Sequence, residues 1–357
     1  MMSFKNVLSE KRIPVATPDS IIDSSGKSVF GTFDKEFKNL NLKEIVKQSP
    51  YLPDKANWFR LTQWEAVEVN FKDHLLLMGV NDMGIINTGL ICFYDKKKKK
   101  NISWRETLFK SRKQIKINKN LLGGSTCQAL GDNVKIKMVN NFERGAAVIT
   151  GEGFHKKEGF IKYELELQRV SLPCVVSIPF GENKPLYTQK DLFRCKGYIE
   201  FNGERIESDE FATAIIDDHK GYYPHNSHYD WLTTMGRNTV DGKEQYFAFN
   251  LTRNQSINQT EYNENLIWFE GKTTRLTPVR FEHLEYNKWH VKDVYGMVDV
   301  NFDIGDRCII RMKFAPILNV DYHIVFGEIS GFVCDEDGNK YILDGMCGFG
   351  EDKTVIY

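Results

Sequence analysis

Apolar and polar residues alternate with a period of two along much of this chain, whereas the helical period of 3.6 is rare. In the segment from Ile161 to Leu167, apolar side chains occupy every second position and charged side chains occupy the others. The segment from Val134 to Met138 repeats this alternation. Because successive side chains of a strand point to opposite faces, one face should meet a core and the other water. The pattern therefore predicts antiparallel β-sheets.

Further short apolar segments extend this prediction along the chain. They are rich in β-branched and aromatic residues, which favour strands, and residues typical of turns separate them. The predicted strands are His74 to Val80, Gln245 to Leu251, Leu266 to Phe269, Cys308 to Phe314 and Tyr322 to Val333. Many short strands with few amphipathic helices between them favour barrels over a parallel α/β sheet.

Chain length and the N-terminal pattern predict the domain organisation. Apolar residues fall at helical spacing between Asp34 and Gln48, which predicts a helix. A length of 357 residues suits two domains rather than one. We therefore predict an N-terminal arm over residues 1–57 that contains this helix, a first barrel over 58–185 and a second barrel over 186–357.

Composition gives no sign of nucleic acid or membrane as a partner. Lys+Arg and Asp+Glu both number 48, so the formal net charge is zero and no global field attracts either. The run from Lys96 to Lys100 is predicted to be a solvated hairpin tip, with a phosphate or anionic-lipid contact as the alternative. No apolar segment approaches the roughly 20 residues that a transmembrane helix needs.

The N-terminus and the cysteines indicate a cytoplasmic protein. Residues 1–15 lack the continuous apolar segment of a signal peptide. The seven cysteines occur singly, which predicts reduced thiols rather than disulfides or a zinc site. His225, His228 and Asp230 match no standard ligand spacing, so no metal is predicted. Glycine-rich segments lack the strand-to-helix setting of phosphate loops, and no cofactor is predicted.

The densest group of titratable and aromatic residues runs from Asp217 to Trp231, directly after the apolar segment from Phe211 to Ile216. A strand that delivers carboxylates, an imidazole and phenols to one place is typical of acid/base sites. Strand alternation places Asp217 and Asp218 on opposite faces, so we expect one of the two to point inward.

Several motifs in order resemble the bacterial family of the domain of unknown function 2804. The resemblance covers most of the chain and implies no established activity. The matching segments are Pro18 to Lys27, Trp58 to Asp95, Asp217 to Pro224, Glu264 to Asn265, Phe326 to Gly331 and Asp344 to Glu351.

A more distant resemblance points to the carotenoid 1,2-hydratase and AttH-like proteins. It rests on the segments Tyr187 to Gln189, Cys195 to Glu200, Asp218 to His219 and Asp230 to Trp231. Those proteins pair two lipocalin-like barrels, and their second barrel opens with a strand that ends in Asp-His. The resemblance therefore implies two lipocalin-like antiparallel barrels in tandem, and it favours Asp218 over Asp217 as the acid.

These observations predict the site residues. Asp218 is predicted to be a general acid with His219 as its orienter, and Tyr223 completes the catalytic group. Tyr222 and Trp231 are predicted to bind the ligand, together with Asn250, Glu264 and Asn265. The alternative is that Asp218 and His219 form a structural hydrogen-bond network.

Two functions stay open at this point. The barrels bind a hydrophobic or amphipathic small molecule, lipid-like or isoprenoid-like, and act on it by cofactor-independent hydration, isomerisation or cyclisation. The alternative is a binding protein without chemistry, because barrels of this type also hold ligands unchanged. Catalysis requires Asp218 or His219 to face the cavity, whereas a carrier would line its cavity with apolar groups alone.

Overall fold

A computed structural model gives the fold and describes residues 3–47, 53–84, 86–109, 114–240, 242–314 and 318–356. Strands make up 62% of the described residues and helices 5%, and the strands form two curled antiparallel sheets, a barrel and a half-barrel. The predicted all-β fold class with two antiparallel sheets in tandem is therefore confirmed. Within the described ranges, every helix is too short to cross a lipid bilayer.

The first sheet forms the barrel and has 14 strands in the described part of the chain. They are β1 (Gly31–Phe33), β2 (Thr62–Asn70), β3 (His74–Asp82), β4 (Ile86–Asp95), β5 (Lys100–Phe109), β6 (Ile115–Lys116), β7 (Ser125–Leu130), β8 (Val134–Asn141), β9 (Ala146–His155), β10 (Gly159–Arg169), β11 (Cys174–Pro179), β12 (Pro185–Phe201), β13 (Glu204–Glu207) and β14 (Thr213–Gly221). β14 lies between β2 and β12, and β12 also pairs with β10. The chain thus returns after β10 to pair with its first long strand.

The second sheet forms the half-barrel and has 10 strands, counted over the described residues. They are β15 (Asn226–Val240), β16 (Lys243–Arg253), β17 (Leu266–Phe269), β18 (Lys272–Arg275), β19 (Arg280–Glu285), β20 (Lys288–Lys292), β21 (Val298–Phe314), β22 (Leu318–Cys334), β23 (Lys340–Ile342) and β24 (Met346–Ile356). The order across the sheet is β18, β17, β16, β15, β24, β22, β21, β20, β19, and β23 pairs with β22. The last strand therefore lies beside the first one.

The strand predictions hold because the period-two segments lie inside observed strands. The seven segments fall within β3, β8, β10, β16, β17, β21 and β22. Lys96 to Lys99 form the turn between β4 and β5 and Lys100 begins β5, as predicted for a hairpin tip. Lys96 differs from a solvated residue, since its Nζ donates to Asn70 Oδ1 at 2.5 Å and to the Phe71 carbonyl at 2.6 Å.

The helix predicted from Asp34 to Gln48 is much shorter in the structure. Only the 3-10 helix Leu42–Glu44 forms in the described part of this span, and Gln48 lies outside the described residues. The Asn41 amide explains the difference, because it accepts the Ile22 N–H at 3.0 Å and donates to the Ile22 carbonyl at 3.1 Å. This side chain pairs with another segment of the arm instead of continuing a helix. The other described 3-10 helices are Lys5–Val7, Glu10–Arg12, Asp54–Phe59 and Phe142–Arg144.

The hydrogen bonding divides the two sheets between Gly221 and Asn226. Residues 186–194 of β12 pair with 213–221 of β14, and β14 pairs in turn with residues 62–70 of β2. The strand that carries Asp217 to His219 thus belongs to the first sheet. The domain limits at 58–185 and 186–357 stay a prediction.

The two sheets pack against each other through a mixed apolar core. Leu77, Leu90 and Cys92 of the first sheet join Ile310 and Ile324 of the second. The opposite faces of the sheets pack separate cores, one inside the barrel and one on the inner face of the half-barrel. Long strands that are buried on both faces therefore meet at the inter-sheet interface.

Candidate functional site

Alternation along β14 separates its four consecutive polar residues. Asp217 and His219 point toward the second sheet, whereas Asp218 and Lys220 point into the barrel. All four are buried, with at most 6% of their surface exposed. The predicted pair Asp218 and His219 therefore lies in two different environments.

Lys190 of β12 organises the polar groups on the inter-sheet side. Its Nζ lies 3.0 Å from Asp217 Oδ2, 3.7 Å from Glu264 Oε2 and 3.2 Å from Asn250 Oδ1. The same ammonium lies 4.9 Å from the ring centroid of Trp231. A buried cation thus connects two carboxylates and an aromatic face.

Burial and charge act in opposite directions on this group. Burial opposes the ionisation of Glu264, but the charge of Lys190, with adjacent His219 adding to its effect, outweighs burial and holds the pKa of Glu264 at about 2. Burial also opposes the Lys190 ammonium, but the Asp217 and Glu264 carboxylates raise the pKa of Lys190 above its usual value. The Thr188 hydroxyl donates a further hydrogen bond to Glu264 Oε2 at 2.6 Å. Lys190 and Glu264 are therefore both charged at neutral pH.

His219 faces this group without being hydrogen-bonded to it. Its Nε2 lies 3.1 Å from Asp217 Oδ1 and 3.4 Å from Glu264 Oε2. The geometry is nevertheless unsuitable, so neither ring nitrogen has a hydrogen-bond partner among the described residues. Trp64 packs on the imidazole with 4.6 Å between ring centroids. The site thus holds a buried imidazole with free hydrogen-bonding capacity.

A second set of titratable groups continues the site toward β24. The Tyr229 hydroxyl donates to Glu351 Oε2 at 3.0 Å, and the Tyr322 hydroxyl donates to Glu351 Oε1. Burial raises the pKa of Glu351 despite these hydrogen bonds. Burial lowers the pKa of Lys353, whose Nζ lies 4.7 Å from the Tyr322 ring centroid. Both groups are thus shifted toward their neutral forms.

Glu68 of β2 is a further buried carboxyl whose surroundings favour its protonated form. Burial raises its pKa well above the usual value, and the charge of Asp217 raises it further. Its Oε2 atom has no hydrogen-bond partner within the described ranges. A protonated carboxyl with a free oxygen is suited to donate a proton to a ligand.

These groups surround two adjoining cavities, which we call together the inter-sheet cavity. The cavities have volumes of about 80 and 20 Å³ and share walls at Trp64, Asp217, Tyr229 and Glu351. The apolar walls include Leu77, Val80, Leu90, Ile310, Met312 and Val320. Since one water needs about 10–15 Å³ of such volume, the enclosed space takes a compact group rather than a long chain.

Asp218 belongs to a separate network inside the barrel. Its carboxylate pairs with the Lys220 ammonium, and Asn118 Nδ2 lies 3.3 Å from Asp218 Oδ1. Glu65 accepts hydrogen bonds from Asn118 and from Asn140. Burial, followed by the charge of Asp218, raises the pKa of Glu65 to about 7. This network has its own partners and does not border the inter-sheet cavity.

The structure brings only some of the predicted site residues together. Four of them, His219, Tyr223, Trp231 and Glu264, line the inter-sheet cavity. Asn250 lies behind them and accepts the Trp231 Nε1–H at 2.6 Å. Asn265 instead joins backbone groups, accepting the Thr252 N–H at 2.7 Å and donating to the Thr277 carbonyl at 3.1 Å. Tyr222 turns to the N-terminal arm, where its hydroxyl donates to the Leu42 carbonyl at 3.0 Å.

Sequence reasoning missed the residues that come from other strands. They are Glu68, Lys190, Tyr229, Tyr322, Glu351 and Lys353, which line the same cavity. One sequence signal pointed to Glu351, since it ends the last motif that resembles the family. Lys190 had a weaker signal, a lone lysine before the apolar pair Leu192 and Phe193.

Comparisons with known proteins give a family and two solved structures that align with most of the chain. No curated protein matches the sequence. Kievitone hydratase from Nectria haematococca aligns with a TM-score of 0.44 and 9% identity, covering 83% of this chain and 88% of that one. An AttH-like protein from Nitrosomonas europaea aligns with a TM-score of 0.49 and 12% identity, covering 83% of this chain and 93% of that one. The model of the domain of unknown function DUF2804 matches residues 12–357, so the predicted family resemblance is confirmed and the chain belongs to the DUF2804 family.

Proposed function

We propose that the inter-sheet cavity binds a small amphipathic molecule and acts on it by acid/base chemistry without a cofactor. One observation carries the proposal: protonatable carboxyls and an unpartnered imidazole line the two adjoining parts of one buried, mostly apolar inter-sheet cavity, Glu68 in one part and His219 in the other. Perturbed titratable groups in a cleft are typical of catalytic sites. A simple carrier has no use for such groups, because burying them costs stability.

Glu68 is the proton donor in this proposal. Its raised pKa favours the protonated carboxyl, its side chain lines the cavity, and its Oε2 has no hydrogen-bond partner among the described residues. Glu351 is a second carboxyl with a raised pKa, but two tyrosine hydroxyls already occupy its oxygens. Glu68 is therefore the carboxyl that is open to a ligand.

His219 is the proton acceptor, and Asp217 stabilises the imidazolium that forms. Asp217 Oδ1 lies 3.1 Å from His219 Nε2, close enough to form an ion pair once the imidazole takes up a proton, and Nδ1 has no hydrogen-bond partner among the described residues. Asp217 pairs with Ala66 and Ile215 pairs with Glu68, so Glu68 and Asp217 are diagonal neighbours on one face of the β2–β14 pair. His219 follows Asp217 on that face, so Asp217 lies between the donor and the acceptor, and the ligand extends along β14 past Asp217 to reach both.

This arrangement supports redox-neutral reactions such as hydration, isomerisation or cyclisation. The donor protonates one carbon of an alkene, and the acceptor takes a proton from water or from a neighbouring carbon. The rings of Trp64, Tyr229 and Tyr322 stabilise positive charge that develops between these steps. They already surround the Lys353 amine, with centroids 4.7 to 5.6 Å from Nζ.

The cavity lining supports an amphipathic ligand with a compact reactive end. The apolar walls hold that end, and exposed Arg105 borders both the cavity and an adjoining surface groove. A guanidinium at this position is suited to a carboxylate or phenolate group at the other end of the ligand.

Deuterium exchange tests the proposal without knowledge of the product. The compound extracted from the purified protein is incubated in D2O with the parent, with Glu68→Gln and with Glu65→Gln. Glu65 is a matched control, because it is a buried glutamate of the same strand whose side chain faces the barrel interior. We expect mass spectrometry to show deuterium uptake with the parent and Glu65→Gln, and none with Glu68→Gln. Binding without uptake by the parent would instead support the carrier function.

A further inference from the structure

The strands β15 and β24 carry a second group of polar side chains on the face opposite the inter-sheet cavity. Asp230 is the register partner of Asp352, and His228 is the partner of Thr354, so these four residues share one face. That face is the inner side of the half-barrel, to which the neighbouring Leu232 also points. The cavity residues of the same strands occupy the intervening positions.

His283 of β19 reaches the same place from the edge of the sheet. Its Nε2 lies 3.0 Å from Asp230 Oδ1, and its Nδ1 lies 3.8 Å from Asp352 Oδ2. His228 Nε2 lies 3.4 Å from Asp230 Oδ2, and its Nδ1 lies 3.8 Å from Asp352 Oδ1. Two imidazoles and two carboxylates therefore converge from three strands.

Neighbouring groups hold both imidazoles in defined orientations. The Thr354 hydroxyl lies 3.1 Å from His228 Nδ1, which leaves Nε2 directed at the cluster. The His283 ring stacks on Trp289 with 4.6 Å between centroids and 8° between planes. Such outer contacts are typical of histidines that bind metals, because they fix the ring and its tautomer.

We propose that His228, His283, Asp230 and Asp352 bind one divalent transition-metal ion of the zinc class. Two imidazole nitrogens and two carboxylate oxygens are a ligand set that Zn²⁺ accepts in tetrahedral geometry. Ca²⁺ and Mg²⁺ fit less well, since they prefer ligand sets made of oxygen atoms. The ligand atoms of His228, Asp230 and Asp352 already lie within 4.8 Å of one another, and His283 would join this group as the fourth ligand from its position 3.0 Å from Asp230.

The proposed ion joins two strands of the half-barrel that do not pair with each other. β19 and β15 are not neighbours in the sheet, because β20, β21, β22 and β24 lie between them. His283 and Asp230 nevertheless meet across the inner face. A bound ion therefore connects the edge strand to the strand that also supports Trp231. This proposal revises the sequence-based expectation of no metal, which considered His228 and Asp230 without the distant His283.

Metal titration tests the proposal on the full chain. The protein is treated with EDTA, dialysed and titrated with ZnCl2 by calorimetry, and the parent should bind one equivalent. His228→Gln and His283→Gln should each weaken binding by at least about tenfold, since loss of even an outer contact to a metal ligand costs that much. Co²⁺ bound by the parent should give the visible absorption bands of a four-coordinate site.

His290→Gln is the matched control. His290 also contacts carboxylates, with Nε2 2.7 Å from Asp299 and Nδ1 3.7 Å from Glu282, but it lacks a second histidine. This variant should bind Zn²⁺ like the parent. The proposal is overturned if the parent binds no stoichiometric Zn²⁺, if Co²⁺ gives only the weak bands of a six-coordinate ion, or if folded His283→Gln keeps the parent's affinity.

Discussion

Replacing Lys190 with methionine tests the charge balance of the inter-sheet site. Met has a similar length and removes only the ammonium that lies near Asp217 and Glu264. The variant leaves two buried carboxylates without their cation. Breaking a buried ion pair in this way costs about 3–5 kcal/mol, because the remaining charge is uncompensated.

The pKa of Glu264 expresses the net effect of its surroundings, in which the Lys190 charge makes the largest favourable contribution. It is about 2 in the folded protein against an ordinary value of 4.5, a difference that corresponds to about 3 kcal/mol. Because the folded-state pKa is depressed, this stabilisation is present above pH 4.5 and is lost as the pH falls toward 2. The destabilisation caused by Lys190→Met should therefore shrink over the same pH range.

Urea unfolding followed by circular dichroism at pH 7 and at lower pH measures both effects. Lys135→Met is the control, since Lys135 pairs with Glu152 at 2.8 Å on the surface. Exposed pairs of this kind contribute at most about 1 kcal/mol. The reasoning is refuted if Lys190→Met has the same urea midpoint as Lys135→Met, or if the loss of free energy of unfolding in Lys190→Met is the same at every pH.

Three further predictions concern other parts of the chain. Asp218→Asn should cost about 3–5 kcal/mol in urea unfolding, because it leaves buried Lys220 unpaired, while deuterium uptake per bound ligand stays at the parent's level; loss of uptake in a folded variant would return Asp218 to the mechanism. Lys96→Met should lower the melting temperature more than Lys97→Met, because Lys96 is half-buried and donates to the Phe71 and Lys72 carbonyls, whereas Lys97 is exposed; equal melting would contradict this. Thiol titration of the native protein should modify Cys347 first, since the other cysteines are buried; rapid modification of several thiols would contradict the packing.

Much of the fold could be predicted because a strand's period is local information. The alternation from Ile161 to Leu167 identifies β10, and hairpin neighbours such as β3 and β4 follow one another directly. The pairing of β14 with β2 could not be predicted, since it joins residues that are about 150 positions apart. The prediction of an N-terminal helix was wrong for a similar reason, because the Asn41 side chain hydrogen-bonds the backbone of Ile22 in a distant part of the arm.

The candidate site, like the fold, could be predicted only in part from the sequence. Alternation correctly separated Asp217 from Asp218, but the strands packed on each face decide which face meets the cavity. Asp217 meets Lys190 and His219 there, whereas Asp218 meets Lys220 inside the barrel. Glu68 and Glu351 belong to strands at opposite ends of the chain, so their meeting depends on the packing of one sheet on the other.

A cavity-filling variant tests the central claim most directly. Gly79 lines the inter-sheet cavity, and a Cβ at this position would meet no atom closer than 3.8 Å, so Gly79→Leu fills the space without backbone strain. Gly181→Leu is the control, because Gly181 lies outside the cavity and its Cβ would meet only Lys184 at 3.5 Å. Mass spectrometry of solvent extracts should find the same small amphipathic compound in the parent and Gly181→Leu, and none in Gly79→Leu. An equal amount of that compound in folded Gly79→Leu, or no compound in the parent, would contradict the account.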